Sequence, residues 1–183
     1  YLILDGMVRM LAPILAFTSE EIWSFMPHHK GVRTESVLFN DMPSYDPNLT
    51  FPPEQAARWE RILALRTDVN KAMELARAQK TVGKSLDSVI TLHLDAQAMD
   101  VFQDLEGYDL PSILIVSKVT VQPNSTSGAY QGVAFPGLSV DVAPATAPKC
   151  IRCWCHHEDV GKDEAHPELC PRCAAVVRAG EFS

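Results

Sequence analysis

Apolar residues recur every three or four positions through residues 54–82, which is the spacing of one face of an α-helix. The pattern predicts a long amphipathic helix, and Gly83 is its expected stop because glycine is favoured just past a helix end. The residues predicted to form the buried stripe are Ile62, Leu65, Val69, Ala72 and Ala76.

The region before this helix divides into two parts by pattern. Residues 1–27 have helical periodicity with an interruption at Pro13, and Thr18 and Glu21 have the spacing of a capping box at the start of a second helix. Residues 27–53 are rich in Pro, Asn, Ser and Asp. They indicate an irregular crossing with one short extended piece at residues 36–39.

After residue 84 the period changes from helical to alternating, which favours a small α+β unit over residues 84–144. The composition of residues 143–148 (APATAP) is typical of a linker. The predicted elements are a strand at 88–95, a helix at 96–107, a strand at 112–121, a polar turn at 123–132 and a strand at 137–144.

All five cysteines of the chain lie beyond this linker. Four of them form two pairs, Cys150-x2-Cys153 and Cys170-x2-Cys173, and sixteen residues separate the pairs. This spacing is typical of a two-knuckle zinc site. Two residues between cysteines let each pair direct both thiolates at one ion, and Zn²⁺ takes four such ligands in a tetrahedron. Four thiolates fill the shell, so the pattern predicts a structural site without room for a catalytic water.

Other roles for these residues stay open at this stage. The same cysteines could form redox dithiols or hold an iron centre. Cys155 could replace Cys153 as a ligand, and His156, His157 and His166 lie in the intervening loop. An odd cysteine count in a sequence without a recognisable signal peptide favours a reducing, cytoplasmic setting over disulfides.

Arg152 and Trp154 alternate with the first cysteine pair. An exposed Trp beside an Arg on a rigid metal knuckle can stack on an unpaired base. Trp154 can equally be the small core of a segment that has few other large apolar residues. The sequence leaves both interpretations open.

Charge gives a mixed indication about nucleic acid. The net charge of −7 excludes a general electrostatic attraction to polyanions, while 46% hydrophobic content indicates a folded protein without an apolar run of membrane-spanning length. Residues 54–84 nevertheless carry seven Lys and Arg against four Asp and Glu. Arg66, Arg77 and Lys84 are predicted on one edge of the apolar stripe, where they could follow phosphates or merely snorkel around a buried helix.

Several stretches together resemble the C-terminal end of the bacterial isoleucyl-tRNA synthetases. They are LAPILAFTSEEIW at 11–23, the segment ALRTDVNKAMELARAQKTVGKSLDSVITL at 64–92, ILIVSKV at 113–119, and KCIRCW with HPELCPRC within 149–173. They follow one another in the family's order and cover nearly the whole chain. The two cysteine-containing motifs, KCIRCW and HPELCPRC, are the most specific part of the resemblance, because the first stretch also fits valyl and leucyl relatives.

This resemblance implies a class I enzyme that joins isoleucine to its tRNA with ATP. The HIGH and KMSKS signatures of that class are absent from the sequence, so we expect the fragment to be inactive alone and the ATP site to lie in a catalytic core upstream. The implied organisation is the end of an anticodon-binding helical bundle at 1–43, a junction domain at 44–147 and a zinc module at 148–183. The implied partners are isoleucine tRNA and the N-terminal remainder of the parent enzyme. The resemblance also implies that the protein is a monomer and does not bind membranes.

The resemblance also implies roles for individual residues. The implied zinc ligands are Cys150, Cys153, Cys170 and Cys173, and Cys155 departs from the polar residue expected at its position. The candidate RNA contacts are Arg152, Trp154, Arg66, Arg77, Lys80 and Lys84. Two rival hypotheses remain: a zinc tail that only packs on the parent enzyme, and the zinc-finger end of a formamidopyrimidine-type DNA glycosylase, which has almost the same cysteine spacing.

Overall fold

The computed structural model describes residues 1–105, 107–123 and 129–180. The chain divides into two compact units, Tyr1–Thr50 and Phe51–Ser183. Helices, a small mixed sheet and a C-terminal cysteine cluster make up these units, so the predicted α+β class is confirmed. Within the described ranges, every helix is too short or too polar to cross a membrane. Part of the polar turn predicted at 123–132 lies outside the described residues.

The first unit contains two helices, α1 (Leu2–Leu11) and α2 (Ala16–Phe25), and 3-10 turns at Val37–Phe39 and Pro47–Leu49. Their apolar faces meet around Trp23, which is 1% exposed. The buried cluster of this unit consists of Val8, Ala12, Trp23, Met26 and Val37.

Two local predictions in this unit are wrong. Helix α2 begins at Ala16 and has no side-chain cap, so Thr18 and Glu21 lie inside the helix and form no capping box. Residues 36–39 are not extended either. The carboxylate of Glu20 accepts hydrogen bonds from the Ser36 hydroxyl and the Val37 N–H, and this tertiary contact holds the segment in a 3-10 turn.

The second unit is built on the long helix α3 (Pro53–Ala78), which begins with proline at a position where no hydrogen-bonding N–H is needed. All five residues of the predicted stripe are buried. The helix ends four residues earlier than predicted, because Lys80 takes a left-handed conformation with φ 60° and reverses the chain. The guanidinium of Arg77 donates to Gly83 O (3.2 Å) and Ser85 Oγ (2.6 Å), which fixes the segment after the helix. Gly83 is therefore not the cap.

A four-stranded sheet covers one side of α3. Its strands are β1 (Ser88–Leu94), β2 (Lys118–Pro123), β3 (Tyr130–Gln131) and β4 (Leu138–Pro144). The strand order is β2-β1-β4-β3. The central strand β1 pairs parallel with the edge strand β2, and β4 pairs antiparallel with both β1 and β3. The predicted first and third strands are confirmed as β1 and β4, and the short β3 was not predicted.

The predicted strand at 112–121 is wrong in its first half. Residues Leu110–Leu114 form a short helix, α5, whose start is capped by the Asp109 side chain. Parallel strands need a crossover connection, and α4 (Ala96–Gln103) followed by α5 provides it between β1 and β2. Four consecutive apolar residues (ILIV, 113–116) fit a helix segment as well as a strand, so periodicity alone did not separate the two.

Asp68 is a buried acidic residue in the apolar stripe of α3, with 1% of its surface exposed. Its carboxylate accepts backbone N–H bonds from Val133 (2.9 Å), Ala134 (3.2 Å) and Phe135 (2.7 Å). The loop lies so close that a Cβ on Gly132 would meet Asp68 Oδ2 at 2.9 Å. A buried carboxylate is stable when several N–H donors compensate its charge, so this contact ties the loop before β4 to α3.

Candidate metal centre and nucleic-acid interface

The sulfur atoms of Cys150, Cys153, Cys170 and Cys173 all lie within 4.8 Å of one another. Cys153 Sγ and Cys170 Sγ are 3.7 Å apart. A tetrahedron of Zn–S bonds has edges of about 3.8 Å, which the Cys153–Cys170 distance matches, so the donor set fits Zn²⁺. Cys150 and Cys173 are fully buried, which is the setting of a closed structural site.

Local backbone structure brings the two pairs together. In the first pair, the Trp154 N–H donates to Cys150 O and the Cys150 N–H donates to Cys155 O, each at 2.9 Å, which closes a tight turn. In the second, Cys170 is the N-cap of α6 (Pro171–Arg178). The positive end of this helix therefore faces the thiolates, where it favours negative charge.

The surroundings of Cys150 and Cys170 shift their thiol pKa values in opposite directions. Burial acts to raise the pKa of Cys150, but N–H groups of Cys153, Cys170 and Arg152 outweigh it and lower the pKa to about 6. Burial raises the pKa of Cys170 to about 12, and the neighbouring thiols contribute to the shift. Four sulfurs this close cannot all be ionised without a cation between them, so the arrangement demands a metal ion for full deprotonation.

Two arginines lie against the sulfur cluster. Arg152 Nη1 donates to Cys173 Sγ at 3.6 Å. Burial acts to lower the pKa of Arg172, but its hydrogen bond to Cys153 and the nearby thiolates outweigh burial and raise that pKa. Zn²⁺ with four thiolates carries two net negative charges, which these two guanidinium groups offset.

The alternative ligands considered from the sequence stand outside the cluster. Within the described ranges, no His, Asp, Glu or further Cys joins the four cysteines. Cys155 Sγ contacts Cys153 O at 3.8 Å. The His156 ring contacts Ala147 O and Asp87, and His157 contacts Asp159.

Trp154 is 63% exposed and has a left-handed backbone with φ 64°. The interpretation that it forms the core of the cysteine segment is wrong, because that core consists of Cys150, Leu169, Cys170, Cys173 and Ala174. A left-handed conformation is strained for a residue with a Cβ by about 1–2 kcal/mol, and Lys80 and Ile115 share it. The Trp154 ring lies at the surface of the knuckle, where it is accessible to a ligand.

Trp154 borders a groove of about 650 Å³ that two distant segments form together. Lys84, Ser85 and Leu86 line one side, and the other side consists of Lys149, Cys150, Ile151 and Trp154. The groove thus combines an exposed aromatic ring with lysine side chains, which is the composition of a single-stranded nucleic-acid site. We name it the Trp154 groove.

A family model described as "Anticodon-binding domain of tRNA ligase" matches residues 1–93, half of the chain. The chain belongs to this anticodon-binding family. A second model, described as "Zinc finger found in FPG and IleRS", matches residues 148–176, which include all four clustered cysteines. The predicted family resemblance is therefore confirmed, and the anticodon-binding match argues against the DNA glycosylase hypothesis.

Three proteins to which the chain is similar are isoleucine–tRNA ligases. The ligase of Geobacter sulfurreducens is 38% identical over 178 residues, and that of Desulforudis audaxviator is 38% identical over 179. The ligase of Syntrophotalea carbinolica is 41% identical over 179 residues. Each match covers 97% of this chain but 19% of the relative, so the chain spans about a fifth of the length of these relatives.

Of the other candidate RNA contacts, Lys84 lines the Trp154 groove, whereas Arg66, Arg77 and Lys80 are not among its lining residues. Arg66 is half-buried on α3, and its Nε is buried without a hydrogen-bond partner in the described part of the chain. Arg77 is occupied in fixing the segment after α3. Lys80 and Lys84 follow the end of α3, so the prediction that Lys84 shares a helix edge with Arg66 and Arg77 is wrong.

Four groove residues were not predicted from the sequence: Ser85, Leu86, Lys149 and Ile151. Lys149 and Ile151 lie on either side of Cys150, so the zinc pattern was a signal for their exposure on a knuckle. Lys149 also forms an ion pair with Asp87, a contact between residues 62 positions apart that no local pattern contains.

Proposed function

We propose that this chain is the tRNA-binding C-terminal portion of an isoleucine–tRNA ligase and contacts the anticodon stem-loop. The parent enzyme would join isoleucine to its tRNA with ATP, in a catalytic core outside this chain. The observation that carries the proposal is the exposed, strained Trp154 at the rim of a lysine-lined groove, in a chain of the anticodon-binding family.

One Zn²⁺, held by Cys150, Cys153, Cys170 and Cys173, would be structural. The buried cluster of this segment contains only Leu169 and Ala174 besides three of the cysteines. A core of this size cannot offset the conformational entropy that the segment loses on folding. Metal binding must therefore supply the remaining free energy of folding. The expected role of the ion is to hold the turn that presents Trp154.

In the proposed complex the two sides of the groove make different kinds of contact with the RNA. Trp154 stacks on an unpaired anticodon base, which is favourable for any base because each has a π-face. Lys84 attracts a backbone phosphate and adds a salt-dependent contribution. Arg152, Arg66, Arg77 and Lys80 remain candidate phosphate contacts, although Arg152 and Arg77 already have intramolecular partners.

The proposed organisation has bundle residues at 1–43, a junction domain at 44–147 and the zinc module at 148–183. The proposed protein is a monomer that works in a reducing compartment, where five free thiols persist.

Equilibrium binding of the zinc-loaded chain tests this function. Isoleucine tRNA, a non-cognate tRNA and a DNA duplex should each be titrated at two salt concentrations. We expect a preference for isoleucine tRNA that survives the higher salt, because stacking does not release counterions. Weak, indiscriminate binding that is lost with salt would reject RNA recognition and favour the alternative of a structural tail.

Replacement of Trp154 should separate stability from binding. In Trp154→Gly we expect the backbone strain to disappear and the free energy of unfolding to rise by about 1 kcal/mol. Binding of the anticodon stem-loop should weaken about tenfold or more, since one stacked base contributes about 1–3 kcal/mol. Chemical denaturation and RNA titration measure the two effects.

Two further variants control this prediction. Trp154→Ala keeps a strained residue, so it should lose RNA affinity without gaining stability. Trp154→Phe keeps an aromatic face and should retain most of the affinity. RNA binding that is equal in all four proteins would rule out the stacking role.

A further inference from the structure

A cluster of polar side chains attaches the zinc finger to the sheet, and neither the metal ligands nor the groove rim accounts for it. We name this the docking cluster, consisting of Asp87, Ser117, Lys149 and His156. Asp87 and Ser117 immediately precede β1 and β2. Lys149 and His156 lie on either side of Cys150–Cys155 and form an isolated antiparallel bridge with each other.

The contacts of the docking cluster converge on Asp87 and His156. Asp87 Oδ1 accepts from Lys149 Nζ at 2.5 Å and lies 3.2 Å from His156 Nε2. The other ring nitrogen, His156 Nδ1, is 2.6 Å from Ala147 O, and this carbonyl can only accept, so Nδ1 donates. The His156 side chain is accordingly 16% exposed, while Asp87 and Lys149 are about one-third exposed.

Backbone contacts extend the same attachment. The His156 N–H donates to Ser117 Oγ at 2.7 Å, and that hydroxyl donates to Leu86 O at 2.5 Å. The Ala145 N–H donates to Asp87 O at 2.8 Å. Residues 86–88, 117 and 145–156 are thereby joined, although they come from three separate parts of the sequence.

Two of these segments also form the Trp154 groove. Lys84 is three residues before Asp87, while Lys149 both lines the groove and pairs with Asp87. The metal ties the two cysteine pairs to each other, but no zinc ligand comes from the sheet. Metal binding alone therefore does not fix the distance between Lys84 and Trp154, which also depends on the docking cluster and on the exposed ion pair of Lys118 with Glu158 (2.9 Å).

We infer that the docking cluster is a positioning device: it orients the zinc finger on the sheet so that Trp154 and Lys84 contact the same RNA. His156 and Asp87 act through the orientation of the finger and touch neither metal nor RNA. The RNA part of this inference rests on the proposed function, whereas the attachment itself can be measured without RNA.

The test compares the zinc-loaded 183-residue chain with His156→Ala, Asp87→Ala and the double variant. We expect each variant to retain one zinc per chain, because no ligand is altered. Amide exchange at Ala145 and His156 should accelerate, since these N–H groups bond across the attachment. Affinity for the anticodon stem-loop of isoleucine tRNA should fall about tenfold, within the usual range of coupling between two sites.

The double variant distinguishes positioning from two unrelated losses. Because the two side chains share one contact, we expect the double variant to lose less RNA affinity than the sum of the two single losses. Asp87→Asn keeps an acceptor oxygen without the charge and should give intermediate exchange and affinity. It also covers the case in which an alanine variant fails to fold.

His157→Ala is the matched control. This histidine adjoins His156, is exposed, and its side chain contacts Asp159 within the finger. Its replacement should leave zinc content, exchange and RNA affinity unchanged.

Three outcomes would overturn the inference. They are loss of zinc in His156→Ala, unchanged exchange at both amides in the two single variants, or additive losses of RNA affinity in the double variant. If the wild-type chain bound no RNA, the proposed function would fail, but the exchange data would still decide whether the cluster docks the finger.

Discussion

Replacing Cys170 with serine is expected to release the metal and unfold residues 148–180. Cys170 is a member of the four-sulfur cluster and stands directly before α6, the helix that carries Cys173, so its loss removes a thiolate and the metal bond that would hold the start of this helix to the first cysteine pair. Zinc binding to such sites supplies about 10–16 kcal/mol of folding free energy. Even changes to residues that only hydrogen-bond to a metal ligand weaken metal affinity about 10–100-fold, so we expect the loss of a ligand to exceed that range.

Zinc stoichiometry and the amide NMR spectrum measure this effect, and Cys155→Ser is the matched control. Cys155 lies two residues from Cys153 but is not a member of the four-sulfur cluster, and its Sγ contacts the Cys153 carbonyl, so the control should bind one zinc with an unchanged spectrum. The β1–β4 sheet should persist in both variants, because its core does not include the cysteines. A Cys170→Ser protein with full zinc content and an unaltered spectrum would refute the ligand assignment.

Replacing Asp68 with alanine is expected to destabilise the second unit by about 3 kcal/mol or more. Three backbone N–H groups, of Val133, Ala134 and Phe135, would lose their acceptor, and each unsatisfied buried donor costs about 1–3 kcal/mol. Urea denaturation of the zinc-loaded chain measures the free energy of unfolding. Zinc content should not change, because Asp68 is not part of the cysteine cluster.

Glu60→Ala is the control for Asp68, since Glu60 is an exposed acidic residue of the same helix. Its free energy of unfolding should stay within about 0.5 kcal/mol of the wild type. Asp68→Asn should be intermediate, because the amide keeps one acceptor oxygen but turns an N–H group toward the third donor. An Asp68→Ala protein as stable as the control would show that water or a shifted loop satisfies these N–H groups.

Much of the fold follows from local patterns. The buried stripe of α3 and the strands β1 and β4 repeat with the period of their element over enough residues to be recognised. The α5 segment shows where periodicity fails, because four consecutive apolar residues fit a buried helix as well as a buried strand. Its conformation is decided by the Asp109 cap and by the crossover that parallel β1 and β2 require.

The end of α3 illustrates a second kind of failure. Gly83 was the expected stop because glycine favours positive φ, but Lys80 takes that conformation instead. The Arg77 side chain supplies the compensating bonds to Gly83 O and Ser85 Oγ. These bonds form only after the chain has turned, so the residue preferences that mark helix ends do not predict them.

The sequence by itself determined the metal centre, because the spacing within each C-x2-C pair directs both thiolates at one ion and Zn²⁺ takes four such ligands in a tetrahedron. Only the tertiary structure decided that Trp154 is exposed and strained, that Lys84 joins it in one groove, and that Asp68 is buried. The physical reason is the separation along the chain between the residues that interact. Ligand spacing is a local property of the chain, whereas burial, a shared groove and the docking of His156 on Asp87 depend on residues that meet only after folding.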